Sequence, residues 1–600
     1  MSERPGRFSV PVLFTSLDHE PKNTWVEYGE AERRILPKGW TKDEGRRSLS
    51  EDMIWEKDVR IPLRDGVELL ADVFRPLSSD RQPVPAIMPW SPYGKTGSGM
   101  QQLDMFPWRV GIPRNRTSGL EKWEAPDPAE WIPRGYAIVN IDARGSFKSG
   151  GDFHVYGTQE GRDGYDSIEW IAQQTWCNTK VAMAGNSWLS TTQWFIAAEK
   201  PPHLCCMAPW EGLGDYYRES ICRGGIPDHA FWDVLMAWAC GPNEREDVGA
   251  MIDRYGLWSD YWEDKKPKLW NISVPMYATA SYSTGLHTEG SVRGFQLCRS
   301  KEKWLRWTAT QEWHDIYQEE NIDDLQRFLD KYMYELDNGW EKTPKVRQSM
   351  LGYNRPSVIN RPASEYPPVD FHYHTFFLDA KTRTLSKSKP NASSSAEYHA
   401  ESQTDDGLSF SYKFDRYTEL CGISKATLYM STDDHNDMDV YIVIRKLDHN
   451  GQALWHQNIP IEDLPEGTKV EQIPRENIWR YIGPNGRLRA SHREVIEETI
   501  DGISQEEYRK LMGPAYVYHP HTSKQPLLPG QIVELEISLW PGGMVFDAGE
   551  SMSLEIKGHL PILPEFEGLE EKLVNFNFGR HKLHTGPYYG SQLFVSLREG

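Results

Sequence analysis

The stretch Val181-Ala-Met-Ala-Gly-Asn-Ser-Trp-Leu-Ser190 decides how this chain folds. It leads an apolar run through Gly185 to Ser187, and the helix-compatible run Trp188-Leu-Ser-Thr-Thr-Gln-Trp-Phe-Ile-Ala-Ala198 follows. Strand, tight turn and helix with a serine at the apex is the layout of a nucleophile elbow. The bend lifts the hydroxyl above the sheet, and the helix N-terminus behind it favours the negative charge that develops on attack. The usual spacing is Gly-x-Ser-x-Gly. Here Gly185 fills the first glycine place and Ser190, still small, the second. Ser187 is the candidate nucleophile, and the bland alternative is an ordinary strand-to-helix turn.

Working outward, residues 54–74 alternate around Asp65-Gly66 and predict a β-hairpin. Residues 85–90 and 136–142 read as short buried strands, ending in Ser91-Pro-Tyr-Gly-Lys95 and Ala143-Arg-Gly-Ser146. Residues 163–174 have helical spacing. Beyond the elbow, 204–209, 274–280 and 303–308 read as strands and 322–336 as an amphipathic helix. Strands alternating with helices predict a parallel, doubly wound α/β sheet, whose ligands sit beyond the carboxyl ends of the strands. Tyr93, Arg144, Ser187 and Glu211 all fall at such ends.

The remaining chain divides by pattern. Residues 1–50 have no sustained period and read as an N-terminal arm packed on the body. The α/β core is expected over 51–214 and 267–344, interrupted by a Trp-rich helical cap over 215–266. After about Pro344, short alternating runs between Gly, Pro and Asp-Gly turns predict an all-β jelly-roll sandwich over 345–600. A chain of 600 residues is in any case too long for one core.

Composition narrows the function. A net charge of −20 argues against nucleic acid and anionic membrane as partners. The seven cysteines form no Cys-x-x-Cys pair, so free thiols in a reducing compartment are expected, with no zinc site. No signal peptide and no apolar span of membrane length is read, which makes the cytoplasm the expected location. The 24 Trp and 28 Tyr are many; some should line a pocket, though core filling accounts for them equally well. The expected partner is a small-molecule substrate, with no cofactor and no metal, and a homodimer is compatible.

With these pieces placed, several segments carry a resemblance: Val59-Arg-Ile-Pro-Leu-Arg-Asp-Gly-Val-Glu-Leu69, Pro92-Tyr-Gly-Lys95, Asp142-Ala-Arg-Gly145, Trp176-Cys-Asn178, Gly185-Asn-Ser-Trp-Leu189 and Leu488-Arg-Ala-Ser-His-Arg493. From about residue 55 to its end the chain resembles the cocaine esterase / X-Pro dipeptidyl-peptidase family of serine hydrolases. The resemblance implies an α/β-hydrolase domain, a helical cap and a C-terminal jelly roll that frames the site. It also implies that Tyr93 is the oxyanion tyrosine, acting with the N–H after the nucleophile, here that of Trp188. An Asp142–Arg144 pair near the elbow reads as structural.

A serine hydroxyl is unreactive near neutral pH unless a base takes its proton. His314, in Gln311-Glu-Trp-His-Asp-Ile-Tyr317, follows the last parallel strand and is the expected base; His287 is the reserve. The family's Gly-Pro-Trp-x-His run is matched only in its Trp and His, with shifted spacing. The family's Trp-Tyr-Asp-Gly run has no counterpart, because Ala280-Ser-Tyr-Ser-Thr-Gly285 places Ser283 or Thr284 where Asp is expected. Either the acid has moved or the triad is broken. Glu211 is the favoured substitute, with Glu289 and Asp315 as other carboxylates.

The expected function is a serine hydrolase cleaving an ester or amide of a hydrophobic small molecule through an acyl-enzyme. Two alternatives stand beside it. One is a non-hydrolytic cyclisation, acyl transfer or rearrangement on the same fold; the other is X-Pro dipeptidyl-peptidase activity.

Overall fold

The computed structural model describes residues 1–20, 28–97, 101–404, 407–496, 499–500, 503–569, 572 and 574–600. Its N-terminal half is built on one large sheet. The strands are β1 Glu32–Leu36, β2 Met53–Pro62, β3 Glu68–Pro76, β4 Val84–Ile87, β5 Ala137–Asp142, β6 Cys177–Gly185, β7 Leu204–Pro209, β8 Met276–Ser281, β9 Lys303–Thr308, β10 Val346–Met350 and β11 Val358–Ala363. Across the sheet they lie in the order 11-10-9-8-7-6-4-5-3-2-1, with the two-residue strand Trp90–Ser91 beside β5.

Strands β4 to β10 pair parallel, and antiparallel strands close both edges. The Asp65-Gly66 hairpin is the β2–β3 turn. Because β5 lies on one side of β4 and β6 on the other, the topology switches at β4, where a crevice opens outside the carboxyl ends. Tyr93 follows β4 and Ser187 follows β6.

The strands that carry the site are buried on both faces, as parallel strands are. Every residue of β5, β7 from Cys206 on, and β8 is buried. Helices α1 Thr158–Ala172 and α2 Trp188–Ala198 pack on one another, and α3 Thr288–Leu297, α4 Glu312–Ile316 and α5 Glu319–Met333 follow β8 and β9. Apolar cores fill both faces of the sheet.

Residues 215–266 hold three short helices, Ala230–Met236, Val248–Arg254 and Asp260–Asp264. The strand Glu244–Glu246 lies among them and pairs with Val12–Ser16, which pairs with Ser2–Arg4. The N-terminal arm is thus tied by β-pairing at two places: to this region, and through β1 to the edge of the main sheet. Aperiodic polar sequence gave no sign of those strands.

The C-terminal half is rich in antiparallel sheet, running from His372–Asp379 to Gln592–Glu599 around its own apolar core. It is not a separate body. Ile459, Leu464, Ile473, Ile478 and Trp479 belong to the same core cluster as Tyr93 and Trp188.

Candidate active site

Ser187 sits between β6 and α2 with φ 58° and ψ −117°, a strained conformation for a residue with a side chain. Two glycines make the bend fit. A Cβ on Gly185 would lie 2.5 Å from the Leu189 side chain, and one on Gly212 would lie 2.7 Å from Ser190 Oγ. Space for the serine in the second small position therefore comes from Gly212, after β7. The Ser187 N–H donates to the Glu211 carbonyl at 2.6 Å, which fixes the apex to the neighbouring strand end.

Tyr93 is buried, and its phenol lies against the Ser187 side chain and the Trp188 N–H. Burial, reinforced by Glu124, holds its pKa well above the ordinary phenol value, so the hydroxyl keeps its proton. A protonated phenol beside a backbone N–H is a donor pair suited to a developing oxyanion. Glu160 on α1 fixes this wall by accepting both the Trp188 indole N–H at 2.8 Å and that of Trp90 at 3.0 Å.

The structure engages His314 with partners other than the serine, and its Nδ1 is buried without one. Its Nε2 lies 2.9 Å from Asp463 Oδ2 and 3.2 Å from Gln318 Nε2. Among the described residues it makes no hydrogen bond to Ser187 or Glu211. Helical geometry is the reason: each step along α4 rotates about 100°. Trp313 points back to the elbow and Glu312 to the β8 end, which leaves His314 facing the C-terminal half.

His287 is buried at the start of α3, with Nδ1 unpartnered and its pKa lowered by burial alone to about 3. Among the described residues no carboxylate hydrogen-bonds it. Two of the reserve acids are already engaged: Asp315 binds Arg306 at 2.5 and 2.9 Å, and Glu289 binds Arg293 at 2.8 Å. Arg144 pairs with Asp163 and Asp65, while Asp142 accepts the Tyr28 hydroxyl; the expected Asp142–Arg144 pair is not made.

Among the described residues the Glu211 carboxyl hydrogen-bonds no histidine, and it stands instead at the end of β8. Its Oε2 accepts from Ser281 at 3.0 Å and from Thr284 at 2.7 Å, and its Oε1 is buried without a partner. Thr284, in the place where an aspartate was expected, also lies 2.9 Å from Glu312 Oε2. Burial, with Glu312 beside it, pushes Glu211 well above the carboxylate range, and burial lifts Glu312 to about 7.

Glu124 flanks the other side. Its Oε1 accepts from Asn186 at 2.9 Å and from the Trp313 indole at 2.6 Å, its Oε2 is buried and unpartnered, and its φ is 64°. Burial raises it to about 8. Glu565, bonded to Asn477 at 3.1 Å, is lifted to about 8 by burial and by Glu312. Glu124, Glu312 and Glu565 were missed from sequence, since no motif marks a lone glutamate. The one available hint was Glu312's place two residues before His314. Among the described residues, no group of three His, Cys, Asp or Glu side chains is disposed to hold a metal ion.

A serine at a strained strand-to-helix bend, opposed by a phenol and a backbone N–H over a doubly wound sheet, defines a serine-type α/β-hydrolase site. The crystal structure of a CocE/NonD family hydrolase from Staphylococcus aureus is 31% identical to this chain, covers 96% of it and 99% of its own length, and superposes with a TM-score of 0.81. This chain belongs to the CocE/NonD hydrolase family.

Residues 65–323 match the X-Pro dipeptidyl-peptidase (S15 family) domain, and 338–593 match the X-Pro dipeptidyl-peptidase C-terminal non-catalytic domain. The cocaine esterase of Rhodococcus sp. is 34% identical over 161 residues, which is 27% of this chain and 24% of that esterase. An α-amino acid ester hydrolase shares the fold at 14% identity, with a TM-score of 0.63 over 96% of this chain and 99% of its own.

Proposed function

We propose that this protein cleaves an ester or amide bond of a hydrophobic small molecule through an acyl-enzyme on Ser187. The observation that carries the reading is the meeting of the Ser187 side chain, the Tyr93 phenol and the Trp188 N–H at one point. Attack by Ser187 Oγ on an acyl carbon makes a tetrahedral oxyanion, and Tyr93 and Trp188 donate to it. Glu211 anchors the apex through its carbonyl and stands with its carboxyl at the end of β8.

A partly apolar substrate is supported by a cleft of about 70 Å³ near Gly285 and Glu565, walled by Phe231, Trp232, Leu286, Ile562, Leu563 and Leu569 but edged by Glu219, Arg223, Asp228 and Arg487. Residues 215–266 act as the cap over it. The curled antiparallel sheet of residues 345–600 is read as a jelly roll that frames the site rather than as a glycan-binding module. The cytoplasm fits seven free cysteines, and no described helix is long and apolar enough to cross a membrane.

Labelling with a fluorophosphonate tests the nucleophile. Wild type is expected to label and Ser187→Ala to remain unlabelled; labelling of the variant would remove Ser187 from the mechanism.

One observation favours a second reading. No described histidine hydrogen-bonds Ser187, so the site could instead guide a cyclisation or rearrangement with Tyr93 as acid. Turnover in heavy-oxygen water separates the two, because only hydrolysis places label in the product. X-Pro dipeptidyl-peptidase activity is checked with Ala-Pro-anilide, for which little turnover is expected.

A further inference from the structure

The contacts around Thr284 outnumber the hydrogens that can fill them. Ser281 Oγ, Thr284 Oγ1, Glu211 Oε2 and Glu312 Oε2 make four mutual contacts of 2.7–3.0 Å, yet the two hydroxyls supply one hydrogen each. Were both carboxyls ionised, one would face the Thr284 lone pairs across 2.7 or 2.9 Å with no hydrogen between them. A single carboxyl proton resolves this. The protonated glutamate donates to Thr284, and Thr284 donates to its partner. Among the described residues no Lys or Arg pairs with Glu211 or Glu312, so the retained proton takes the place of a counter-charge.

We propose that Glu312 and Glu211, bridged by Thr284, form the proton-accepting and proton-donating pair for Ser187, in the place where an imidazole and its acid are expected. The proposal rests on Ser187 being the nucleophile. Two links bind the pair to that serine: the Glu211 carbonyl holds the Ser187 N–H, and Trp313, next to Glu312, holds Glu124, which holds Asn186.

In acylation the Ser187 Oγ–H proton passes to the Glu312 carboxylate as the Oγ–C bond forms. The carbonyl electrons move to the oxygen held by Tyr93 and Trp188. On collapse the bond to the leaving oxygen or nitrogen breaks, and that atom takes the proton from Glu312. A water then attacks the acyl carbon and gives its proton to Glu312, which returns it to the departing Ser187 Oγ. Thr284 has one hydrogen to turn toward either glutamate, so it couples the two carboxyls through every step.

The groups facing the pair are Glu124 from the segment before the β5 strand, Glu565 from the C-terminal half and Asp315, which is neutralised by Arg306. None of them brings an unpaired positive charge to the pair, so Glu211, held well above the carboxylate range by burial and by Glu312, keeps the retained proton when Glu312 gives up its own. The base form then appears as pH rises through about 7, the value to which burial lifts Glu312.

The test measures the rate of fluorophosphonate labelling from pH 5.5 to 9 in wild type, Glu312→Gln, Thr284→Val, His314→Ala and His287→Ala. The proposal expects a rising limb near neutral pH in wild type. It expects at least a hundredfold slower labelling in Glu312→Gln, with that limb gone; general-base catalysis is typically worth about 10²–10⁴. Thr284→Val should shift the limb, which serves as the readout if Glu312→Gln does not fold. His314→Ala and His287→Ala should label at the wild-type rate with an unchanged limb. Loss of labelling in either histidine variant, with Glu312→Gln and Thr284→Val unaffected, overturns the pair. Labelling of Ser187→Ala, or none in wild type, instead overturns the nucleophile on which the pair rests.

Discussion

At position 93 a phenol keeps its proton because burial and Glu124 both oppose ionisation. Its value to catalysis lies in that proton, so Tyr93→Phe should leave binding largely alone and slow the chemical step. Loss of one oxyanion donor typically costs about 3–4 kcal/mol, or roughly 10²–10³ in kcat. Ester turnover with kcat and KM measured separately checks this; an unchanged kcat would take Tyr93 out of the site. Ser187, Tyr93, Trp188 and Glu211 could be read as candidates because a motif or a strand end marks them. Glu124 and Glu312 could not. Their significance lies in which way a side chain points from a loop or a one-turn helix, and a Trp-His pair one step away drew attention instead.

The elbow is the element on which aim depends. Strand, turn and helix were legible from the order of apolar and small residues, and β7 and β9 fall where periodicity places them. What the pattern could not show is that Gly212, on another loop, makes room for Ser190. Gly185→Ala should be costly for two reasons. Its φ of 150° is unusual for a side-chain-bearing residue, and its new Cβ would meet Leu189 at 2.5 Å. A loss of about 1–3 kcal/mol of stability is expected from such overpacking. Fluorophosphonate labelling of the folded fraction should also slow, as α2 is displaced and Ser187 with it. Urea unfolding alongside labelling checks both; wild-type values for the two would mean the bend tolerates the change.

At the scale of the molecule, buried acids impose a pH signature. Burial lifts Glu160 and Glu312 to about 7, and Glu124 and Glu565 to about 8, from an ordinary 4.5. The folded chain therefore keeps protons that the unfolded chain has released, and stability falls as pH rises toward the folded values. Buried histidines such as His287, pressed down to about 3, act only below their ordinary 6.5. Above 8, Lys122, lowered by burial to about 8, works in the opposite sense. Stability should therefore fall between pH 6.5 and 8, by roughly 1.4 kcal/mol per pH unit for each group still holding its proton, and Tm should drop with it and flatten beyond. Thermal unfolding across that range checks it; a Tm that climbs would contradict the assignment. The division of the chain into α/β and β-rich halves was legible because the period changes near residue 344. The traffic between halves was not: Asp463 on His314, and Glu565 beside Glu312, join residues far apart in sequence.

Glu565 carries a last consequence. It belongs to the half whose matching family domain is described as non-catalytic, yet burial and the charge on Glu312 together hold its carboxyl up to about 8. The two halves are then not interchangeable parts. A chimera that kept every residue of the first 344 and borrowed the remainder from a cousin would lose the carboxyl that answers to Glu312 across the seam, and with it part of the wall of its reaction centre.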